Sequence, residues 1–182
     1  MDAKKVLAAH RKNGGKIEIV GKVRIGTQED LATYYTPGVS YVSLEIKKDK
    51  SKAYEYTSKA NTIAIISDGT RILGLGNVGP EAGLAVMEGK SLLFKKFGGV
   101  DAIPICISES DEDTIVDLAK RISPTFGGIV IEDIESPKSF RVVERLEKEL
   151  SIPVFHDDQH GVAAVAIGGL MNALKLAGAG NA

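Results

Sequence analysis

Residues 127–161 read GGIVIEDIESPKSFRVVERLEKELSIPVFHDDQHG, and this stretch decides the fold. Gly127 to Ile131 is a short apolar run rich in β-branched residues, which reads as a buried strand. Pro137 to Leu150 places Phe140, Val143, Leu146 and Leu150 on one face of an amphipathic helix. Ile152 to Phe155 is apolar again and reads as a second strand. Strand, helix and strand of these lengths imply a right-handed crossover and parallel strands. Open parallel sheets bind ligands beyond the carboxyl ends of their strands. Glu132-Asp133 follow the first strand, and His156-Asp157-Asp158 follow the second. If the strands are neighbours, four carboxylates meet at one edge, where repulsion is costly unless a cation joins them. Oxygen donors without cysteine suit Mg²⁺ or Mn²⁺. The same residues also have a plainer reading. Asp158 can cap the helix that follows, and Glu132-Asp133 can be a solvated turn. His156 and His160 read as hydrogen-bonded neighbours rather than ligands.

Working outward, the alternation continues in both directions. Asp101 to Ile107 reads as a strand and Asp111 to Ile122 as a helix. Pro80 to Phe97 reads as a long helix broken by Gly83 and Gly89. Asn61 to Ser67 is β-rich, Asp68-Gly69 signals a turn, and Arg71 to Leu75 reads as the return strand of a hairpin. Gly161 to Ala177 is a mostly apolar helix. Nearer the amino terminus, Asp2 to Lys12 is a short basic helix stopped by Asn13-Gly14-Gly15. Lys16 to Val23 fits a short strand or extended arm. Glu29 to Tyr34 is a helical turn ended at Thr36-Pro37-Gly38, and Val39 to Lys47 has helical spacing. The expected fold is α/β, a three-layer and largely parallel sheet flanked by helices, with a helical and extended amino-terminal arm. Residues 1–25 form that arm and 26–160 the main body. Residues 161–182 are a helix that runs into Ala177-Gly178-Ala179-Gly180-Asn181-Ala182, so the chain reads as the front part of something longer.

The 182 residues suffice for one domain with a proper core. A net charge of −1 gives no basic field for nucleic acid and no polybasic patch for a membrane. The lone cysteine, Cys106, excludes an intrachain disulfide and reads as a small buried hydrophobe. Met1 to Lys5 lacks a signal-peptide core, and no apolar stretch approaches membrane-spanning length. The expected compartment is the cytoplasm. Gly74-Leu75-Gly76-Asn77-Val78-Gly79 matches the G-x-G-x-x-G dinucleotide pattern. It follows the expected hairpin, and Asp101 begins a strand instead of ending one. A tight backbone passage beside a small ligand is the better use of these glycines.

Taken in order, Tyr35-Thr36-Pro37-Gly38-Val39, Ser67-Asp68-Gly69-Thr70-Arg71-Ile72-Leu73-Gly74-Leu75-Gly76, Glu88-Gly89-Lys90, Phe97-Gly98-Gly99-Val100-Asp101, Pro124-Thr125-Phe126-Gly127-Gly128, Ile131-Glu132-Asp133-Ile134 and Phe155-His156-Asp157-Asp158-Gln159-His160-Gly161 resemble the amino-terminal, substrate-binding domain of malic enzyme, in its shorter bacterial and archaeal form. The resemblance covers nearly the whole chain. It implies oxidation of malate with NAD⁺ or NADP⁺ and decarboxylation to pyruvate and CO₂, using Mn²⁺ or Mg²⁺. It implies Tyr35 as the general acid that protonates the enol, Lys90 as the general base, and Asp157 as the neighbour that holds and tunes the lysine. Arg71 would grip a substrate carboxylate, and Glu132, Asp133 and Asp158 would bind the metal. Family members form dimers through this domain, so a homodimer is expected through the amino-terminal helix and arm. The family's dinucleotide domain follows this one, so the chain is expected not to reduce NAD(P)⁺ appreciably by itself. Val162 departs from the threonine common after this motif. Two other readings stay open: a stand-alone metal-dependent oxaloacetate decarboxylase, and a non-catalytic dimerisation module.

Overall fold

The computed structural model describes residues 2–72 and 74–178. The amino-terminal part holds helices α1 (Ala3–Asn13), α2 (Gln28–Tyr34), α3 (Val39–Lys48) and α4 (Ala53–Tyr56). Then follow β1 (Thr62–Ser67), α5 (Pro80–Gly98), β2 (Asp101–Cys106), α6 (Glu112–Ile122), β3 (Gly128–Ile131), α7 (Lys138–Glu149), β4 (Val154–His156) and α8 (Val162–Leu176). The strands form one sheet in the order β2-β1-β3-β4, with every pairing parallel. The expected α/β class with a three-layer parallel sheet is therefore what the chain adopts.

Period-two alternation along the strands builds the layers. Ala64, Ile66, Ile129 and Ile131 pack with Ile115 and Val116 of α6 and Val142, Val143 and Leu146 of α7. Ile65 and Val130 join Met87 of α5 in a separate cluster. Local signals set the helix ends. The Asp111 carboxylate accepts from the Thr114 amide at 2.8 Å to start α6. Thr27 and Asp30 make a reciprocal capping box on α2. Gly14 closes α1 in a left-handed conformation at φ 62°.

Several expectations are corrected. The expected return strand over Arg71 to Leu75, of which Leu73 lies outside the described residues, is not found among the described ones. The Ile72 amide donates to the Gly76 carbonyl at 2.9 Å, and the Leu75 amide to the Ile72 carbonyl at 2.8 Å, so the chain doubles back within a few residues. A left-handed Gly76, at φ 78°, permits this tight turn. Helix α5 runs unbroken through Gly83 and Gly89. Gly83 is buried, and a Cβ there would stand 3.3 Å from the Ile72 side chain, so this glycine serves close packing rather than termination. The buried stripe of α7 is Ser139, Val142, Val143 and Leu146, while Phe140 is 44% exposed. Cys106 is only partly buried, because β2 is an edge strand. Lys16 to Val23 forms no strand. Short helical turns over 50–61 went unread. Ala179 to Ala182, the end of the glycine-alanine run, lie outside the described residues.

The shifted stripe on α7 is testable. Leu146→Ala should cost about 2–5 kcal/mol of unfolding free energy. Phe140→Ala should cost clearly less, since its ring already meets solvent. Urea melts of both variants check this; equal losses would favour the stripe read from sequence.

Candidate functional site

The carboxyl ends of β1 and β3 lie side by side. Their ladder extends to the Glu132 amide, which donates to the Ile66 carbonyl at 3.0 Å. The two strands then feed the loops 68–79 and 132–137. Glu132 is 4% exposed and Asp133 is 9% exposed, although both are acidic. Lys90, on α5, reaches over them. Its Nζ donates to the Glu132 carboxylate, and lies 3.3 Å from Asp133 Oδ1. Asp133 holds a left-handed backbone, φ 50°, which is rare for a residue with a side chain. Its other oxygen, Oδ2, is buried and has no hydrogen-bond partner.

Electrostatics mark the same spot. Burial pushes Glu132 up to about 7 against the pull of Lys90, and the charges of Asp157 and Asp133 add to the rise. Burial likewise raises Asp133 against Lys90, helped by Asp158 and Asp157. Burial would lower the Lys90 ammonium, but its bonds and charge contacts with Glu132 and Asp133 outweigh that and hold it above its ordinary value.

Strand β4 ends in a π-helical turn, Asp157–Gly161. Its cap is the buried His156, not Asp158: His156 Nδ1 accepts from the Gln159 amide at 3.1 Å. His160 Nδ1 in turn accepts from the His156 amide at 3.2 Å, so both histidines serve the turn. Asp157 and Asp158 are exposed. A cavity of about 500 Å³ joins Lys90, Glu132 and Asp157 to an apolar wall of Phe94, Phe97 and Phe155. A broader groove of about 730 Å³ beside α6 and α7 contains none of these catalytic candidates.

Of the residues singled out in the sequence, Lys90, Glu132 and Asp133 are in contact, Asp157 lines their cavity, and the charge of Asp158 bears on Asp133. The partners of Lys90 are Glu132 and Asp133; it makes no bond to Asp157. Arg71 joins through its backbone, donating to the Asp133 carbonyl at 3.0 Å, with its side chain exposed. Tyr35 is 65% exposed at the end of α2 and lines neither cavity. Among the described residues, no three acidic, histidine or cysteine side chains already stand as a chelating cluster. The donors present nonetheless fit a hard divalent cation. They are carboxylate oxygens, two of the residues are buried, and one buried oxygen lacks a partner.

Sequence reasoning missed Asp68 and Lys138. The Asp68 carboxylate is fully buried, and Lys138 Nζ lies 2.7 Å from its Oδ2. Asp68 reads as half of an Asp-Gly turn, and Lys138 carries no signal of its own within the helix expected from Pro137 to Leu150. The G-x-G-x-x-G run leads straight into α5, with Gly79 as its cap and Pro80 as its first residue. It does not follow a strand directly, since residues 68–72 already form the turn.

Comparison with known proteins gives the family. Residues 14–112 match the family model "Malic enzyme, N-terminal domain". The chain is 53% identical over 172 residues to the bifunctional malic/malolactic enzyme of Bacillus subtilis, covering 94% of this chain and 42% of that protein. It is 54% identical over 163 residues to the NAD-dependent malic enzyme of Geobacillus stearothermophilus, covering 90% of this chain and 34% of that protein. The crystal structure of malic enzyme from Pyrococcus horikoshii superposes with a TM-score of 0.93 at 58% identity, over 96% of this chain and 41% of that one. The chain thus spans less than half the length of these relatives. By sequence match and by fold, it belongs to the malic enzyme family, and corresponds to the family's amino-terminal domain.

Proposed function

We propose that this chain carries the malate- and metal-binding half of an oxidative decarboxylation of malate to pyruvate and CO₂. In the whole protein NAD⁺ or NADP⁺ would accept the hydride. The observation that carries the reading is the buried Glu132–Asp133 pair under Lys90, with the unpartnered Asp133 Oδ2. Glu132, Asp133 and Asp158 would hold Mn²⁺ or Mg²⁺, which when bound polarises the C2 oxygen and stabilises the enolate left by CO₂. Arg71 binds a malate carboxylate by two parallel bonds and fixes its orientation. Lys90 accepts the hydroxyl proton. Glu132 and Asp133 now keep it protonated, and separation from them leaves burial, which favours the neutral amine. Asp157, which lines the same cavity, restrains the lysine. Tyr35 returns a proton to the enol of pyruvate once its segment packs over the Lys90 cluster.

That packing needs a surface, and the amino-terminal part offers one. Tyr35, Tyr41 and Leu44 of the α2–α3 segment are more than half exposed, and Ile19 of the arm is 93% exposed. We read these as the contact with a second copy, giving a homodimer. No helix among the described residues is long and apolar enough to cross a membrane. We place the protein in the cytoplasm, acting on malate, pyruvate or oxaloacetate, not on nucleic acid.

Three measurements test the reading. Mn²⁺ titration followed by electron paramagnetic resonance should show binding that oxalate tightens, and that Asp158→Asn weakens by more than about tenfold. Equal binding by the variant would remove Asp158 from the metal set. The 182-residue chain should give no malate-dependent reduction of NAD(P)⁺. Turnover that Asp158→Asn abolishes would show the half-site reading to be wrong. Sedimentation of the chain should give a dimer that Tyr41→Glu and Leu44→Glu together dissociate; a monomeric parent chain refutes the homodimer.

A further inference from the structure

We propose that the buried Asp68–Lys138 ion pair is a positioning clamp, fixing the turn that carries Arg71 onto the turn that carries Glu132 and Asp133. In its assignment of Arg71 to substrate and of the carboxylates to metal, the clamp rests on the function proposed above. The two turns leave adjacent strands and are laced at three successive points. Lys138 Nζ lies 2.7 Å from Asp68 Oδ2. The Glu135 amide donates to Thr70 Oγ1 at 2.9 Å. The Arg71 amide donates to the Asp133 carbonyl at 3.0 Å. Thr70 links the first two points, since its hydroxyl and its amide both donate to Asp68 Oδ1, at 2.6 and 3.1 Å. Gly69, between them, has no room for a side chain: a Cβ would lie 2.3 Å from the Gly79 carbonyl. The turn is thus packed closely against Gly79, and the ion pair holds its base.

Neither member of the pair has a chemical task in the cavity. Asp68 is fully buried, and Lys138 is absent from the walls shared by Lys90, Glu132 and Asp157. An apolar pair of similar volume fills a core equally well, so a buried ion pair is a weak device for stability. It is a good device for direction, because an ammonium and a carboxylate accept few mutual geometries once desolvated. Here the fixed object is Asp133, whose left-handed backbone needs support from its surroundings. Its carbonyl is held by the third lacing point, and its carboxylate meets Lys90. Loss of the clamp therefore loosens Arg71 and Asp133 together while the sheet beneath stays intact.

The test uses the full 182-residue chain with Lys138→Met, Lys138→Arg and the double variant Asp68→Asn/Lys138→Met. Amide hydrogen exchange is read at Arg71 and Glu135, against Ile66 and Ile131 in the core strands. In Lys138→Met, exchange at Arg71 and Glu135 should rise by about tenfold or more while the strand amides keep their protection. The tightening of Mn²⁺ by oxalate should fall about 10- to 100-fold, as for loss of an outer-shell partner. Lys138→Arg, which keeps the charge, should restore a large part of both. Should Lys138→Met not fold, the double variant leaves no unpaired buried charge and carries the same expectations. Unchanged exchange at Arg71 and Glu135, or a uniform rise that includes Ile66 and Ile131, overturns the clamp. Failure of the parent chain to bind Mn²⁺ would count against the proposed function, and the exchange data would still decide the clamp.

Discussion

The hydrogen bond from the Glu132 amide to the Ile66 carbonyl, at 3.0 Å, closes the β1–β3 ladder, and the site depends on it. Up to that rung the two strands are buried on both faces and leave no freedom of register, because a slip by one residue would turn every side chain to the wrong layer. Beyond it the chains part into separate loops. The sheet order makes this a switch point: the chain moves from β1 to β2 on one side, then crosses to β3 on the other. Such points open a crevice at the strand ends. Here the crevice receives two acidic side chains that the sheet itself has buried.

That burial sets the electrostatics. Four carboxylates, Glu132, Asp133, Asp157 and Asp158, bear on one another, and among the described residues Lys90 is the single ammonium bonded to them. One cation does not balance two buried acids with two more, exposed, beside them. The site responds with raised carboxyls and a lysine held in its charged form. It also leaves Asp133 Oδ2 with no donor, which for a buried polar atom calls for a physical reason. Lys90 thus occupies the position where a stronger positive charge would relieve the excess. Under the function proposed above, a divalent ion there and a neutral lysine would be complementary, since what binds the carboxylates would also free the amine from them.

Much of this was legible in the sequence, for identifiable reasons. The strands and helices from β1 onward followed from period and length, because the core of a parallel sheet is a run of apolar segments separated by amphipathic ones. The paired acids at two strand ends were legible because topology, not local preference, brings them together. What escaped depends on tertiary context. Ile72 has a strand-like side chain, but among the described residues its bridge partner is Gly76 of the same turn and not a neighbouring strand. Phe140 sits on the apolar side by spacing, yet α7 rolls until Val142 is inward, and its ring meets His156 edge-on at 6.1 Å. Lys59 and Lys138 are buried lysines, a class that sequence statistics place on the surface. Lys59 is accepted there because its ammonium donates to the Ser123 and Phe126 carbonyls, at 2.8 and 2.5 Å. No pattern in the sequence announces a carbonyl waiting for a lysine.

Order is unevenly distributed along the chain, and this bears on Tyr35. No residue from Asp2 to Ser58 is buried, and every residue of α8 is exposed. What ties the arm down is polar and narrow: Lys16 donates from its amide to Glu88 at 3.0 Å and from Nζ to the Ala85 carbonyl at 2.8 Å. Such contacts fix a point, not a surface, and segments with few buried apolar contacts open at low free-energy cost. The sheet with α5, α6 and α7 forms a complete core without these segments, so Lys90, Glu132 and Asp133 are set by that core alone. Tyr35 is not. Under the function proposed above, its position relative to Lys90 would be set by whatever covers the exposed sides of α2 and α3, so proton delivery by Tyr35 would be coupled to assembly in a way that proton removal by Lys90 would not.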